Sequence, residues 1–522
     1  MIIKICDVKD IHTARLCGNL GINMVGMHGI YGLKPTNLAP YKRIVAELKN
    51  NYPKTKAVFV TKIRQHRKLR RILDKLDIDF LQVYFMDQAS LERVGDEIQP
   101  SKQEQPSATG KHLAARFAKD FIFLQKTINK EKKHKVLLSL PIMGLPSSLA
   151  EEIVKKVKHF PDFFLWDSSN LGGTGKLADF RSTKRVLKIS PRHKTILAGG
   201  LNPKNVSKIL SKTFPLVPTG VDVQTGVADL DVQRRDPKNP EQVIEFVAKV
   251  RGEKAANVRS LAVKIPKARS ELVSWAITDL TINSETPPKF SVIRQTDIDL
   301  LHLDFSDGSI APSFIRMDLD LLKQASYFVP CISYDVHLFI RDFKLQKSII
   351  SNCIKINPLL RNVHLHIMPL TIKFQRQFMR TIDYYSNKSI GIGLAIQSSQ
   401  FNKKNINPLI NLLKGDLASK INEISLITRS RKHALEDGLP HDREMLLSLG
   451  DLSKRKKLSL SIDRDITLKK AAALTKGRSV QHIIVGKAIN TRLNLSVVNP
   501  AKAVRVIQRD IDKFRALMKK TN

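Results

Sequence analysis

The chain has 522 residues, of which 42% are hydrophobic, and this suits two domains of roughly 250 residues each. Its 88 Lys and Arg residues against 48 Asp and Glu residues give a net charge of +40, which attracts polyanions such as nucleic acid or phosphorylated metabolites. The basic residues are spread along the whole chain and form no homeodomain, zinc-finger or RNP-type motif. We therefore expect a solvated basic surface and do not expect nucleic acid as the main partner.

Hydropathy and cysteine usage favour a cytoplasmic protein. No run of 18 or more apolar residues occurs, so the sequence predicts no membrane span. The first residues, "MIIKICDVKD", read as a strand and show no secretory signal. The four cysteines, Cys6, Cys17, Cys331 and Cys353, have no CxxC spacing, so neither a disulfide framework nor a zinc ribbon is expected.

Short apolar runs alternate with amphipathic stretches through the first half of the chain. The runs predicted as strands are, in order, "IIKIC", "MVGMHGI", "KAVFVT", "FLQVYF", "HKVLLSL", "FFLWD", "KTILAGGL" and "GVDVQTG". Apolar strands that alternate with helices indicate a parallel sheet covered on both faces. Eight such units predict a closed (β/α)8 barrel. The polar stretch 101–111 is predicted to be an exposed insertion.

The second half repeats this alternation with "SWAITDLTI", "LLHLDF", "SYDVHLFI", "NVHLHIM", "IGIGLAI", "EISLIT", "KLSLSI" and "HIIVGKAI". The predicted fold class is therefore α/β, with two tandem (β/α)8 TIM barrels. The segment between them is charged and poor in apolar periodicity. We predict a first barrel over 1–252, a linker over 253–270 and a second barrel over 271–522.

Chemistry in such barrels is expected at the C-terminal ends of the strands. In the first half, Cys6 follows the first strand and Asp167 ends the run "FFLWD", so a thiol and a carboxyl group can serve as base and acid on one rim. Glycines at strand ends can present backbone N–H groups to a phosphate. The candidate phosphate- and substrate-binding residues are Gly172, Gly173, Gly199, Gly200, Thr225 and Gly226.

The stretch "LGGTGK" after Asp167 does not fit a P-loop. That motif requires a glycine where Asn170 stands and Ser or Thr where Leu177 stands. The glycine-rich segment therefore needs another explanation.

The motif series "IKIC", "D…GGTGK..DF", "LAGGLNPKNV" and "GVDVQTGV" resembles phosphoribosylanthranilate isomerase over about residues 1–250. The resemblance implies an Amadori rearrangement of an aminoaldose to an aminoketose, in tryptophan biosynthesis and without a cofactor. It implies that Cys6 removes the C2 proton and Asp167 protonates the ring oxygen. The loop 172–176 would cover the substrate and exclude water.

The sequence departs from the pattern of that family at several places, including Gln224 and Thr225 where the family has paired serines. Asp7 stands where the family has glycine, and "QVYF" stands where the family has "QLHG". The substrate-contacting arginine after the second strand is missing, and Lys34 or Arg43 are the candidates to replace it.

Two histidines and two carboxylates lie at strand ends in the second half, and we expect them to converge at one barrel mouth. His302 and Asp304 are two apart on one strand and so face the same side, while His337 and Asp463 lie on other strands. Such a donor set suits one divalent metal, such as Zn, Fe or Mn.

The segments "LHLDFSDGSIAPSF", "DVHLFI" and "IVGKAI" resemble ribulose-phosphate 3-epimerase over about 272–515. The resemblance implies that Asp304 and Asp463 act as base and acid on the two faces of C3 and that the metal stabilises the enediolate. It also implies that His302 and His337 complete the metal site. The loop "SRKHALEDGLPHD" lacks the glycine pair of that family, and Arg464 and Asp465 replace the glycines after the last acid.

Three functions remain open on the sequence. The first is an isomerase joined to an epimerase-like barrel, both acting on small phosphorylated sugars. The second has sugar-phosphate epimerisation as the main activity. The third is a non-catalytic barrel scaffold that binds polyanions, and metal analysis would separate it from the other two.

Overall fold

A computed structural model describes most of the chain. Beyond a few isolated positions between 69 and 145, the described residues are 1–29, 38–62, 72–84, 134–142, 147–168, 179–229, 237–264, 271–277, 286–310, 319–367, 372–388, 390–401, 403–415, 417–428, 439–463, 466–476, 480–494 and 499–519. The predicted insertion 101–111, the loop with Gly172 and Gly173, Lys34, Arg464 and Asp465 lie outside them.

The first unit, residues 1–262, contains a closed barrel of eight parallel strands in sequence order. The strands are β1 (Ile2–Ile5), β2 (Met24–His28), β3 (Lys56–Lys62), β4 (Phe80–Tyr84), β5 (Lys135–Pro141), β6 (Phe163–Asp167), β7 (Thr195–Leu197) and β8 (Gly220–Val223). The helices include α1 (Ile11–Asn19), α2 (Ala39–Asn51), α3 (Ser147–Val157), α4 (Phe180–Ile189), α5 (Val206–Thr213), α6 (Pro240–Arg251) and α7 (Ala255–Ala262).

Side chains that point inward from alternate positions of the strands fill this barrel. Inward residues from seven strands form one buried cluster that contains Cys6, Met24, Val58, Val60, Phe80, Tyr84, Leu137, Leu165 and Ile196. The residues between them point outward and are buried against the helices, as Ile3 and Ile5 are. Both faces of the strands are therefore buried, which explains why the runs in the sequence are almost wholly apolar.

Capping residues fix the ends of α6. Asn239 accepts a hydrogen bond from the backbone N–H of Gln242, Pro240 occupies the first helical turn, and Gly252 ends the helix with a left-handed φ of 70°. These are the residue types that helix ends favour at those positions, because asparagine satisfies a free N–H group and glycine tolerates a positive φ.

The second unit, residues 263–522, contains another closed parallel barrel. Its strands are β9 (Leu272–Ala276), β10 (Leu300–Ser306), β11 (Ser333–Phe339), β12 (Leu360–Ile367), β13 (Gly391–Gln397), β14 (Glu423–Ile427), β15 (Ser459–Asp463) and β16 (His482–Val485). The helices include α8 (Thr286–Arg294), α9 (Leu319–Phe328), α10 (Phe343–Ile356), α11 (Ile372–Ser386), α12 (Lys403–Lys414), α13 (Leu417–Lys420), α14 (Leu439–Lys456), α15 (Leu468–Thr475), α16 (Lys487–Leu493) and α17 (Pro500–Lys519). The predicted fold of two tandem (β/α)8 barrels is confirmed.

The division between the units falls after α7, at Ala262. The sequence-based linker 253–270 therefore includes a helix of the first unit. Val258 and Ala262 of this helix are fully buried, Arg259 pairs with Glu241, and Asn19 donates a hydrogen bond to the Ala262 carbonyl at 2.8 Å. Among the described residues, no helix has the length and apolar character needed to span a bilayer.

We predict that residues 1–262 and 263–522 fold separately, and that a fragment ending at residue 254 is less stable than one ending at 262. Removing α7 uncovers the partners of Val258, and burial of one valine contributes about 1.5–3 kcal/mol. Urea unfolding of the two N-terminal fragments measures the difference. Equal midpoints would show that α7 does not belong to the first barrel.

Gly226 permits a close approach that no other residue allows. A Cβ atom at this position would lie 1.8 Å from the carbonyl oxygen of Leu201, so the turn after β8 packs directly on the backbone that follows β7. We predict that Gly226→Ala lowers the stability of the first unit by about 1–3 kcal/mol, because the backbone must move to relieve the overlap.

Thermal unfolding of the full chain measures this loss, with Gly252→Asn as the matched control. Nothing lies within 4 Å of a Cβ at Gly252, and asparagine tolerates a left-handed φ. A Gly226→Ala variant that unfolds with the control would contradict the packing described here.

Candidate active sites

A lysine and a thiol share the inner face of β1. Lys4 and Cys6 are two apart, so both side chains enter the barrel. Lys4 lies directly opposite Asp222 of β8 in the strand register, and its Nζ is 3.0 Å from Asp222 Oδ2. Burial would lower the pKa of Lys4, but the Asp222 carboxylate and the Cys6 sulfur outweigh it and raise the pKa. The ammonium therefore stays charged inside the barrel.

The Cys6 sulfur lies beside that ammonium in a nearly closed environment. Its side chain is only 2% exposed, and Gly26 of β2 leaves the space that the sulfur and Lys4 Nζ occupy. Burial raises the pKa of the Cys6 thiol to about 11, although the charge of Lys4 and its hydrogen bond act in the opposite direction. The thiol is therefore protonated at neutral pH, with one adjacent cation that favours the thiolate.

His28 ends β2 and contacts the same sulfur. Its Nε2 is 3.1 Å from Cys6 Sγ. Burial lowers the pKa of His28 to about 4, so the ring is neutral at pH 7. Asp7, directly after Cys6, has a φ of 59°, a left-handed conformation that aspartate tolerates better than most residues. The structure thus keeps the turn that glycine would form and adds a carboxylate, which pairs with Lys9 at 2.8 Å.

Asp167 ends β6 and is 6% exposed. Burial raises the pKa of Tyr84, and the neighbouring charges of Asp167 and Cys6 add to this effect. Tyr84 ends β4, and it lies near enough to both candidate catalytic groups for their charges to raise its pKa. The acid and the base of the sequence analysis therefore occupy the mouth of one barrel, as their positions at strand ends predict.

Backbone turns after β7 and β8 form the predicted phosphate region. Gly199 and Gly200 have left-handed φ values of 86° and 64°, and the Asn205 side chain donates a hydrogen bond to the Gly200 carbonyl at 2.8 Å. Thr225 and Gly226 lie in a short 3-10 turn directly after β8. These four candidates share one end of the barrel, whereas Gly172 and Gly173 lie outside the described residues.

The four predicted metal ligands of the second barrel come together. One donor atom from each of His302, Asp304, His337 and Asp463 lies within 4.8 Å of the others. His302 Nε2 is 3.3 Å from Asp304 Oδ1 and 3.8 Å from Asp463 Oδ2, while His337 Nδ1 is 3.2 Å from Asp304 Oδ1. A tetrahedral zinc site with bonds of about 2.0–2.1 Å has donor atoms about 3.3 Å apart, so the spacing suits a small divalent ion.

The charged groups of this cluster shift one another's pKa values. Burial alone would lower the pKa of His302, but Asp304 and Asp463 outweigh it and raise the pKa to about 9. Burial lowers the pKa of His337 to about 4, even though Asp304 acts against it. The two histidines hold the pKa of Asp304 far below its ordinary value. A metal ion would have to displace the His302 proton.

A second polar group lies deeper in the same barrel. A register irregularity in β12 beside Asp335 places Arg361 between two buried carboxylates. Arg361 donates to Asp335 and, at 2.8 Å, to Glu423, whose other oxygen lies 2.7 Å from His482 Nδ1. Both carboxylates have pKa values held far below normal, because the guanidinium outweighs the effect of burial. His364, fully buried, lies 3.6 Å from Asp335.

Sequence reasoning missed Lys4, Asp222 and His28 in the first barrel, and Asp335, Arg361, Glu423, His364 and His482 in the second. Except for Arg361, they share one signal, a polar residue at alternate positions of an otherwise apolar strand, as in "IIKIC", "GVDV" and "NVHLHI". Alternation identifies the inward face, but it does not say which inward residues from different strands are at the same depth.

Comparisons with known proteins point to one family for part of the first barrel. Residues 103–247 match the family model described as N-(5'phosphoribosyl)anthranilate (PRA) isomerase. That range includes Asp167 and the turns after β7 and β8, whereas Cys6 lies before it.

Among curated proteins, N-(5'-phosphoribosyl)anthranilate isomerase 1, chloroplastic, of Arabidopsis thaliana is 33% identical over 103 residues, which is 20% of this chain and 34% of that protein. The chain thus spans about a third of the first relatives that it matches. An N-(5'-phosphoribosyl)anthranilate isomerase of Leptospira interrogans is 22% identical over 255 residues, 48% of this chain and 94% of that protein. The solved phosphoribosyl anthranilate isomerase of Thermus thermophilus covers 48% of this chain and 99% of its own, at 18% identity and a TM-score of 0.32.

Proposed function

We propose that the first barrel is a phosphoribosylanthranilate isomerase that catalyses the Amadori rearrangement of tryptophan biosynthesis. The observation that most supports it is the pairing of a buried thiol, Cys6, with a buried carboxyl group, Asp167, at the ends of two strands of one closed barrel. The family match over residues 103–247 is independent support, since it does not include Cys6.

The proposed roles follow from the surroundings of each group. Asp167 gives a proton to the ring oxygen of N-(5-phosphoribosyl)anthranilate, and Cys6 as thiolate removes the C2 proton. The Lys4 ammonium beside the sulfur stabilises the thiolate, and Asp222 holds that ammonium in place through the 3.0 Å ion pair. The chemistry requires no cofactor.

Phosphate binding is assigned to the turns after β7 and β8. Gly199 and Gly200 both have left-handed φ values, a conformation that occurs in anion-binding turns, and Thr225 adds a hydroxyl group. The substrate phosphate would lie between these turns.

We predict that Cys6→Ser and Asp167→Asn each reduce turnover by roughly 10²–10⁴-fold, the usual contribution of a positioned acid or base. Loss of fluorescence of N-(5-phosphoribosyl)anthranilate measures turnover, and circular dichroism checks the fold.

The matched controls lie away from the mouth. Cys17→Ala removes the other thiol of this unit, in α1, and Asp162→Asn alters a carboxylate before β6 that accepts the Val136 N–H. Both controls should turn over substrate like the parent. Parental activity in both the Cys6 and Asp167 variants would refute the assigned roles.

A second candidate function concerns the second barrel. We propose that it is a metal-dependent epimerase of a small sugar phosphate, in which His302, Asp304, His337 and Asp463 hold one divalent ion. The donor set fits such an ion, because Nδ1 of the fully buried His302 and Nε2 of His337 make no hydrogen bond with the described residues. A bound ion would polarise an oxygen of the substrate.

The two carboxylates of this cluster come from different strands, β10 and β15. Asp304 and Asp463 are thus suited to exchange protons on two sides of one bound carbon atom, which epimerisation requires. The loop 429–438, which follows β14, lies outside the described residues, so the choice of sugar phosphate does not rest on it.

We predict about one Zn, Fe or Mn ion per chain after purification, and near-complete loss of that ion in Asp304→Asn and His337→Gln. Plasma mass spectrometry measures the content, and binding should weaken as the pH falls below about 9, since a proton on His302 competes with the metal.

The control is Asp320→Asn, which alters an exposed carboxylate of α9 that pairs with Lys323 and should leave the metal content unchanged. A metal-free parent protein would remove the epimerase proposal. The isomerase proposal, which depends on other residues, would remain.

A further inference from the structure

The contact between Cys6 and His28 has chemical consequences. The sulfur and Nε2 are 3.1 Å apart, and they belong to neighbouring parallel strands, β1 and β2. His28 is partly exposed at the end of its strand, so its ring lies at the barrel mouth. Its backbone carbonyl accepts a hydrogen bond from the Tyr41 hydroxyl at 3.1 Å, which holds this strand end independently of the imidazole.

The direction of the hydrogen bond follows from the donors around the sulfur. An ammonium group can only donate, so Lys4 donates a hydrogen bond to a lone pair of the Cys6 sulfur. The thiol proton is then left for His28, whose Nε2 must be the accepting nitrogen while Nδ1 holds the ring proton. The opposite tautomer would direct two donors at the sulfur, so the form with the proton on Nδ1 is the one that suits proton transfer from Cys6.

Burial and the neighbouring charges together determine the protonation state of His28. Burial is the main cause of its low pKa of about 4, and the cations Lys4, Lys238 and Lys9 lower the pKa further. Asp7 acts in the opposite direction. The imidazole is therefore a neutral acceptor at pH 7, with a carboxylate in reach to stabilise a transient imidazolium.

We propose that His28 accepts the thiol proton of Cys6, so that the two side chains act as a dyad that supplies the base of the isomerisation. This inference rests on the proposed function of the first barrel. It assigns a chemical role to a histidine that neither motif analysis nor the family match identifies.

The proton transfers balance. Asp167 protonates the ring oxygen as the ring opens, and the Cys6 proton moves to His28 Nε2 and leaves its electron pair on sulfur. The thiolate takes the C2 proton of the substrate. The imidazolium then protonates C1, the C2 hydroxyl returns a proton to Asp167, and all three side chains regain their starting states.

Substrate triggers the transfer. With the thiol pKa near 11 and the imidazole pKa near 4, the resting pair is neutral. Ring opening creates a cationic imine next to C2, and this charge adds to that of Lys4 beside the sulfur. Both cations favour the thiolate, so bound substrate promotes the transfer of the Cys6 proton to His28.

The first experiment needs no isomerase activity. The full-length parent, His28→Gln and His28→Ala are treated with iodoacetamide between pH 6 and 10, and the Cys6 peptide is quantified by mass spectrometry. In the parent, imidazole assistance should make the rate nearly independent of pH between 6 and 8. Without it, only free thiolate reacts, and the rate should rise about tenfold per pH unit below the thiol pKa.

The second experiment measures turnover of N-(5-phosphoribosyl)anthranilate. His28→Gln should lower kcat about 10²-fold at pH 7 with little change in KM, and its kcat should rise with pH more steeply than that of the parent. Added imidazole should restore part of the activity of His28→Ala, a response that a purely structural role would not produce. His134→Gln is the control. This buried histidine directly precedes β5, at the opposite end of the barrel, and its ring contacts the Ile78 carbonyl.

The outcomes separate the two proposals. A pH-independent alkylation that requires His28, in a parent that does not convert the substrate, would support the dyad and remove the isomerase function. Normal turnover in His28→Gln, together with alkylation at the parental rate and pH dependence, would overturn the dyad and leave the isomerase proposal intact.

Discussion

Closure of each parallel sheet is the constraint on which both candidate sites depend. Because all eight strands of a barrel run in one direction, their carboxyl ends meet at one mouth. Cys6 and Asp167 are far apart in the chain, yet each lies at the C-terminal end of a strand of the same barrel. The four residues of the metal cluster likewise come from β10, β11 and β15. An open sheet would separate the first and last strands and disperse these groups.

Closure of each sheet also buries charged side chains, and the two barrels pair these charges differently. The first encloses the ammonium–carboxylate pair of Lys4 and Asp222, directly below the thiol. The second encloses Arg361 between Asp335 and Glu423, below its cluster of histidines and carboxylates. In both, the paired charges offset the cost of desolvation, and removal of one partner would leave an uncompensated buried ion.

These buried pairs also influence the groups above them. Lys4 is near enough to the Cys6 sulfur to lower the pKa of a thiol that burial alone would raise further. In the second barrel, Asp335 adds to the negative potential that keeps His302 protonated in the absence of a metal. Interior residues that never reach the mouth thus help to set the protonation of those that do.

The sequence by itself determined the number, order and type of all sixteen strands, because apolar runs of strand length separated by amphipathic helices fit only a covered parallel sheet. It also singled out Cys6, Asp167 and the four candidate metal ligands, since each is a polar or reactive residue in or next to such a run. The sequence predicted a linker after α6, where the structure has the short, weakly periodic helix α7.

Only the tertiary structure decided which inward residues meet. The contact of His28 with Cys6, the pairing of Lys4 with Asp222 and the position of Arg361 between two acids depend on strand register and on one irregularity in β12. A shift of one residue would turn each side chain to the other face of the sheet. Register is fixed by the packing of whole strands and helices around the closed barrel, so no local pattern in the sequence contains it.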